Sequence, residues 1–395
     1  MYIEKGTKEY RRTTLALFAA GIVTFANLYL TQPLMPIFAQ HFSISPAVAS
    51  LSLSVATGML AVSLLLFGSI SEAIGRKNIM ALSMIGASLL TICLAYSPNF
   101  ETLLVLRIIQ GFIFAGVPAI AMAYLAEELS QKQLAIVMGL YISGNSIGGL
   151  SGRIIMGIAS DVASWQVGVM FLGSFSLLLS IYFIWALPPS KHFNKQPLNV
   201  RSLTTSLIGH TKNIGLSALF AIAFLLMGGF VTLYNYISFK LLDAPYYLSA
   251  TVVGFIFVIY LVGTFSSTWF GSLTGKYGKV KTLLAGILLM VVGLFCTIFT
   301  PLTLKIIGIV IFTFGFFGAH STASGAVTQL AKTNKGQASS LYLFSYYIGS
   351  SICGSIGGLF WGQYGWTGIV TFIFILLALA IGCAFVYRQE VQKTI

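Results

Sequence analysis

The chain has 395 residues, 57% of them hydrophobic and only 8% charged. A water-soluble domain carries about 25% charged residues, so this composition excludes an aqueous globule and turns most of the outer surface toward lipid. The net charge of +13 does not read as a nucleic-acid footprint, because the basic residues are sorted into one set of the segments between apolar runs.

A helix needs about 20 apolar residues to cross a hydrocarbon core of roughly 30 Å. Twelve runs qualify, at 14–36, 47–70, 79–96, 102–125, 134–157, 165–187, 214–239, 249–271, 281–299, 304–327, 337–360 and 366–387. The first has no small-residue cleavage site behind it and reads as a transmembrane helix. It carries Thr24, Asn27 and Thr31 at helical spacing, and a polar stripe in a lipid-embedded helix should face protein or water. The stretch GSISEAIGRKNIM, 68–80, joins the second and third runs and contains Gly68, Glu72, Gly75, Arg76 and Lys77. The fourth run sets Arg107, Gln110 and Phe114 on one side and ends in Glu127 and Glu128.

The fifth run contains GLYISGNSIGGLSG, 139–152, with Tyr141 and Asn145 as its polar groups. Gly144, Gly148 and Gly152 are four apart, on one face. Lipid gives helices no hydrophobic push toward each other, so small residues mark close packing. This stripe is expected to rest against a helix of the other half, as a packing surface and as one that slides. Arg153 follows, with Asp161 as its expected partner.

A polar segment at 188–213 divides six runs from six, giving halves at 1–187 and 214–395. The halves resemble each other. Tyr141, Gly148 and Trp165 recur as Tyr342, Gly349 and Trp366, while Gly68 and Gly75 recur as Gly271 and Gly278. Asn27 recurs as Asn235, between Tyr234 and Tyr236. Two six-helix halves of one orientation make a parallel repeat, the plan of secondary transporters that hold solute near the bilayer midplane. The expected fold is an all-α membrane protein of twelve transmembrane helices in two parallel halves.

The tenth run holds His320, which has a neutral-range pKa in its free form and is a candidate to carry a coupling proton. The alternative is a packing histidine beside Ser321 and Ser324. The eleventh run offers Tyr342 and Tyr346. None of the nine acids lies in the middle of a run, whereas Arg107 and Arg153 lie inside theirs. A buried charge costs at least about 2.5–3.5 kcal/mol on insertion scales, so these arginines should pair or work. This balance favours an anionic, zwitterionic or neutral polar solute. The four cysteines lack metal-ligand spacing and read as packing thiols. With the N-terminus placed in the cytoplasm, eighteen of the 22 basic residues fall on the cytoplasmic side, which puts both termini there.

At the level of motifs the chain resembles the major facilitator superfamily over essentially its whole length. It looks most like the twelve-helix drug:H+ antiporters, and among them the acriflavin-sensitivity, YnfM-like, bacterial transporters. Residues 68–80 match the loop signature G-x-x-x-D-R-x-G-R-K at Gly68, Gly75, Arg76 and Lys77, with Glu72 in place of Asp and Ala73 in place of the first Arg. RIIQG, 107–111, matches R-x-x-Q-G. GNSIGG, 144–149, matches G-P-x-x-G-G except that Asn145 replaces Pro.

The resemblance implies the major facilitator fold, with solute bound between halves that rock to expose it to alternate sides. It implies that Glu72 caps the start of the eleventh helix near Gly336 and that Arg76 pairs with an acid at the end of the fourth. Gly68, Glu72, Gly75, Arg76, Lys77, Glu127 and Glu128 would then form a cytoplasmic gate. The expected solute site combines Asn27, Thr31, Arg107, Gln110, Tyr141, Asn145, Asn235, Tyr236, Tyr342 and Tyr346. The expected activity is proton-coupled export of a small organic solute from a bacterial cell across its inner membrane. The alternative is an importer or facilitator for a small polar or anionic metabolite. No cofactor, metal or nucleic acid is expected, and the carrier should work as a monomer in the bilayer. An enzyme would need a nucleophile–base set or a His/Asp/Glu cluster inside the spans, and neither is present.

Overall fold

The computed structural model describes residues 2–193, 207–331 and 333–394, apart from the side chains of Ser69, Glu72, Gln131, Lys393 and Thr394. The regular elements are helices. In chain order they are α1 (Lys8–Tyr29), α2 (Met35–His41), α3 (Pro46–Ile74), α4 (Arg76–Leu94), α5 (Phe100–Phe114), α6 (Ala121–Glu128), α7 (Gln131–Val162) and α8 (Trp165–Ala186). Then come α9 (Ile214–Leu242), α10 (Ala250–Ile256), α11 (Leu261–Tyr277), α12 (Lys279–Cys296), α13 (Leu302–Leu330) and α14 (Lys335–Thr394). Short polar residues start several of them. Thr7, Asn99, Ser164 and Asn213 each accept a backbone N–H of the following first turn, satisfying donors that a helix start leaves open.

Among the described residues, nine helical stretches are long and apolar enough to cross a membrane. One of these, α14, breaks at Gly365 (φ 56°, ψ −139°) and makes two crossings. Two further crossings are interrupted helices. The first span, expected to be continuous over 14–36, ends as α1 at Tyr29 and resumes as α2 at Met35. Pro33 has no N–H and its ring would strike the carbonyl four residues back, which is that of Tyr29. The fourth span breaks in the same way after Phe114, four residues before Pro118. Among the described residues, twelve crossings result.

The chain packs as two units. Unit one gathers Met1–Phe38, Val55–Asn199 and Ser249–Phe255. Within it, α1 lies along α7. A methyl group placed on Gly148 would stand 2.5 Å from Ile22 O, and one on Gly152 would stand 2.7 Å from Ala26 O. The glycine stripe therefore rests on α1 of its own unit, which corrects the expectation of a helix from the other half. The backbones meet this closely because glycine has no side chain to collide with the carbonyls of α1. Further along α7, the Asp161 carboxylate accepts the N–H groups of Ala250 (3.1 Å) and Thr251 (2.7 Å) at the start of α10. A carboxylate is stabilising at a helix N-terminus.

Unit two gathers Ala39–Ser54, Val200–Leu248 and Ile256–Ile395. Here α9 lies along α14. Gly349 sits against the backbone of Phe224 and Gly357 against Thr232, the counterpart of the α1–α7 contact. The 39–54 segment joins α14, with Ser351 Oγ donating to Ser54 O at 2.7 Å and Gly358 packed on Ala47.

Candidate functional site

The break in the first span leaves the last carbonyls of α1 without helical partners. Arg107, on α5 and 0% exposed, meets them. Its Nη1 donates to Asn27 O at 2.9 Å and its Nη2 to Leu28 O at 2.6 Å. A cation at the negative end of a helix is favourable, and hydrogen bonds from a charged donor are worth about 1.5–3 kcal/mol. Nη1 also donates to Gln110 Oε1 at 2.9 Å. Gln110 Nε2 donates to Thr91 Oγ1 at 2.8 Å, and Thr91 Oγ1 to Asn27 Oδ1 at 2.7 Å. Asn27 Nδ2 in turn donates to Val23 O at 2.6 Å and to Ser176 Oγ at 2.8 Å. One connected network thus joins α1, α4, α5 and α8.

Arg153, on α7, grips the same break from another side. Its Nε donates to Gln32 Oε1 at 2.8 Å, its Nη1 to Gly149 O at 2.6 Å, and its guanidinium lies 4.1 Å from the Tyr29 ring centroid. Gln32 and Tyr29 therefore take the place expected for Asp161, whose carboxylate serves α10. Thr31 is fully buried in the break, and among the described residues its hydroxyl has no hydrogen-bond partner. Tyr141 and Asn145 face each other one turn apart on α7, and neither oxygen makes a well-formed hydrogen bond.

The structure brings Asn27, Arg107 and Gln110 into one hydrogen-bonded network. It adds Thr91 and Ser176, which sequence reading missed. The Ser176–Ser180 pair in α8, polar at i, i+4 within an apolar helix, was the available signal.

At the end of unit one that carries the α3–α4 junction, Gly75 has φ 117°, a region open to glycine at little cost. Arg76 forms a fork on Glu127, Nη2 to Oε1 at 2.7 Å and Nε to Oε2 at 3.3 Å. Its Nη1 donates to Ser71 Oγ at 2.5 Å, and Ser71 Oγ donates to Gly68 O at 2.7 Å. Lys77 Nζ donates to Leu187 O and Tyr124 OH to Pro188 O. Glu128, 1% exposed, accepts the His192 N–H at 2.9 Å and contacts His192 Nδ1 at 3.1 Å. Tyr2 stacks on His192, and Ile3 N donates to Glu128 O. The chain after α8 and the N-terminal residues are therefore fastened to the same acids and bases. The Glu72 side chain lies outside the described residues.

In unit two, Tyr342 OH meets His320 Nδ1 at 2.9 Å and donates to His320 O at 3.2 Å. The Tyr346 ring lies 4.8 Å from that of His320, and Phe316 stacks on it at 5.8 Å. Tyr342 thus holds the imidazole, whereas the neighbouring Ser321 Oγ donates to Gly318 O. Asn235 is buried with its amide over Gly354, and Tyr236 OH donates to Gly354 O at 2.9 Å. Tyr234 OH pairs with Thr313 Oγ1 at 2.7 Å. Unit one therefore offers amides, hydroxyls and guanidinium, and unit two offers aromatic rings around one imidazole. Such groups can bind and orient a small molecule or move a proton. Among the described residues no cluster of His, Cys, Asp and Glu could hold a metal ion.

Comparison with known proteins agrees with this architecture. The family model described as Major Facilitator Superfamily matches residues 17–328 and, in a second match, 241–394. The MFS-type transporter YybF of Bacillus subtilis (strain 168) is 50% identical over 380 residues, 96% of this chain and 94% of that protein. The inner membrane transport protein YnfM of Escherichia coli (strain K12) is 45% identical over 380 residues, 96% and 91% of the two chains. Among solved structures, a bacterial homolog of the human lysosomal transporter Spinster, inward-facing and occupied, superposes with a TM-score of 0.77 at 14% identity, covering 98% of each chain. The nucleoside transporter NupG superposes with a TM-score of 0.75 at 14% identity, covering 96% of this chain and 99% of that one.

Proposed function

Because the chain belongs to the Major Facilitator Superfamily and is a multi-pass membrane transporter, we propose that it exports a small organic solute in exchange for protons. Transport proceeds by alternating access, in a bacterial inner membrane, with both termini in the cytoplasm and the monomer as the working unit. Solute, proton and lipid are its partners; it is not an enzyme and uses no cofactor. Asn27, Thr31, Arg107, Gln110, Tyr141 and Asn145 serve the polar part of the solute, and Asn235, Tyr236, Tyr342 and Tyr346 its planar or apolar part. His320 carries the coupling proton. The Arg76–Glu127 fork, with Gly68, Glu72, Gly75, Lys77 and Glu128, is the cytoplasmic gate. The drug-antiporter type is supported by RIIQG at 107–111 and GNSIGG at 144–149.

The observation that carries this reading is the buried network from Ser176 through Asn27, Thr91 and Gln110 to Arg107. It concentrates adaptable donors and acceptors beside a helix break, and non-helical backbone at membrane depth is tolerated where it is enclosed by protein or lines a cavity. Two arginines inside the spans, with the nine acids away from span centres, favour an anionic or neutral polar solute over a lipophilic cation. The same balance supports the second reading, an importer or facilitator for a small polar or anionic metabolite. Purified protein in liposomes, given a pH gradient and screened with organic anions, sugars and cationic dyes, tests both. Export requires solute to move against the proton flow. Dye transport that Arg107→Ala leaves unchanged would contradict the solute class.

A further inference from the structure

Unit two repeats the α3–α4 junction of unit one at an offset near 202 residues. Gly75 and Arg76 correspond to Gly278 and Lys279, Ser71 to Thr274, and Glu127 to Gln329. The contact between the cation and the following helix repeats although the residue types differ. Arg76 grips Glu127, and Lys279 Nζ donates to Gln329 Oε1 and, at 3.3 Å, to Gly325 O. Gly278 has φ 80° where Gly75 has 117°. Where unit one supplies a carboxylate, unit two supplies a neutral amide, and the hydrogen bonds of Lys279 among the described residues go to that amide and to a backbone carbonyl.

Around this lysine lies a cleft of about 530 Å³, lined by Thr274, Gly278, Lys279, Gln329 and Tyr387, with Leu330 among its apolar walls. That volume is in the range of small-ligand sites, about 300–1,000 Å³. Nothing stands within 4 Å of where a Cβ on Gly275 or Gly278 would be, so no side chain fills the space from that side. Lys276 and Lys281 flank it in sequence, and the Lys276 ammonium rests 5.0 Å from the Tyr277 ring centroid. Glu390, on the helix that contributes Tyr387, has its Cβ beside Gly215 and sits outside the lining.

We propose that this cleft is an anion site for a phosphate group, which supplies the negative charge that Glu127 supplies in unit one. The chemistry is that of convergent donors. A lysine ammonium binds phosphate as a point charge, the Gln329 amide N–H and the Tyr387 hydroxyl add neutral donors, and the apolar wall accommodates what the phosphate carries. The phosphate belongs either to an anionic phospholipid at the basic end of the protein or to a free cytosolic phosphate.

The test uses the full chain. Its melting temperature is measured in nanodiscs of phosphatidylcholine with and without phosphatidylglycerol, and in detergent during titration with inorganic phosphate. The wild type is expected to be stabilised by at least one anion. Phosphatidylglycerol alone identifies a lipid headgroup; phosphate alone, or both together, identifies a site for the free group. Lys279→Gln should lose the shift. Gln329→Glu should lose it too while keeping the lysine, because the internal carboxylate then occupies it. Absence of any anion-dependent shift in the wild type, or an undiminished shift in both variants, would overturn the proposal.

Discussion

Arg107 spends its guanidinium on two carbonyls that the α1 break leaves open. Truncation strands those acceptors in a water-poor interior, at about 1–3 kcal/mol for each. Arg107→Ala is therefore expected to lower the melting temperature in detergent as well as transport, whereas Arg107→Lys should keep the charge and recover part of the stability. Equal melting of wild type and Arg107→Ala would contradict the capping role. Asn27 was legible in the sequence because the Thr24, Asn27, Thr31 face has helical period. Thr91 and Ser176 were not, because an isolated hydroxyl in an apolar helix carries no period and its partner is set by tertiary packing. His320 was legible as a titratable group inside a span, but its partner Tyr342, 22 residues away, was not. If His320 carries the proton, His320→Gln should retain solute counterflow and lose acceleration by a pH gradient. Loss of both activities, or of neither, would reject that role.

Helix contacts set the next scale. The glycines of α7 were readable as a packing stripe, yet their partner was misplaced, since small residues announce a close neighbour and leave its identity open. The carbonyl of Ile22 stands where a side chain on Gly148 would go. Gly148→Val should thus cost roughly 1–3 kcal/mol, the range for overpacked cores, seen as a lower melting temperature; an unchanged melt would mean that α1 and α7 separate easily. The two proline breaks were missed, because the first and fourth runs read as continuous spans, although Pro33 and Pro118 each stand four residues after the last residue of a helix. At the α4–α6 clasp, Arg76→Ala should cut transport by about tenfold or more, the factor that corresponds to 1.4 kcal/mol, with expression intact. Glu127→Gln should act in the same direction. Full transport by both variants would remove the clasp from the mechanism.

At the scale of the molecule, twelve apolar runs made the twelve crossings legible, and a repeat near 200 residues paired the halves because three regions agreed on the offset to within a few residues. Two features escaped sequence reading. The segments 39–54 and 249–255 pack with units that a cut at 188–213 does not assign them to, and packing of this kind depends on surfaces and not on position in the chain. The repeat has also diverged chemically, so that unit one is rich in amides and guanidinium and unit two in aromatic rings around His320. Substitutions in the unit-one network should accordingly change solute affinity, and substitutions at His320 the coupling. The proposed function makes this protein a proton-coupled carrier whose buried Asn27 network handles the solute. The most direct measurement is solute flux in liposomes containing the purified protein, under an imposed pH gradient, with and without a protonophore. Saturable flux with counterflow is expected, which the protonophore removes only when the gradient drives it and which Asn27→Ala weakens. Flux that rises without saturation, ignores the gradient and is unchanged in Asn27→Ala would contradict the proposed function.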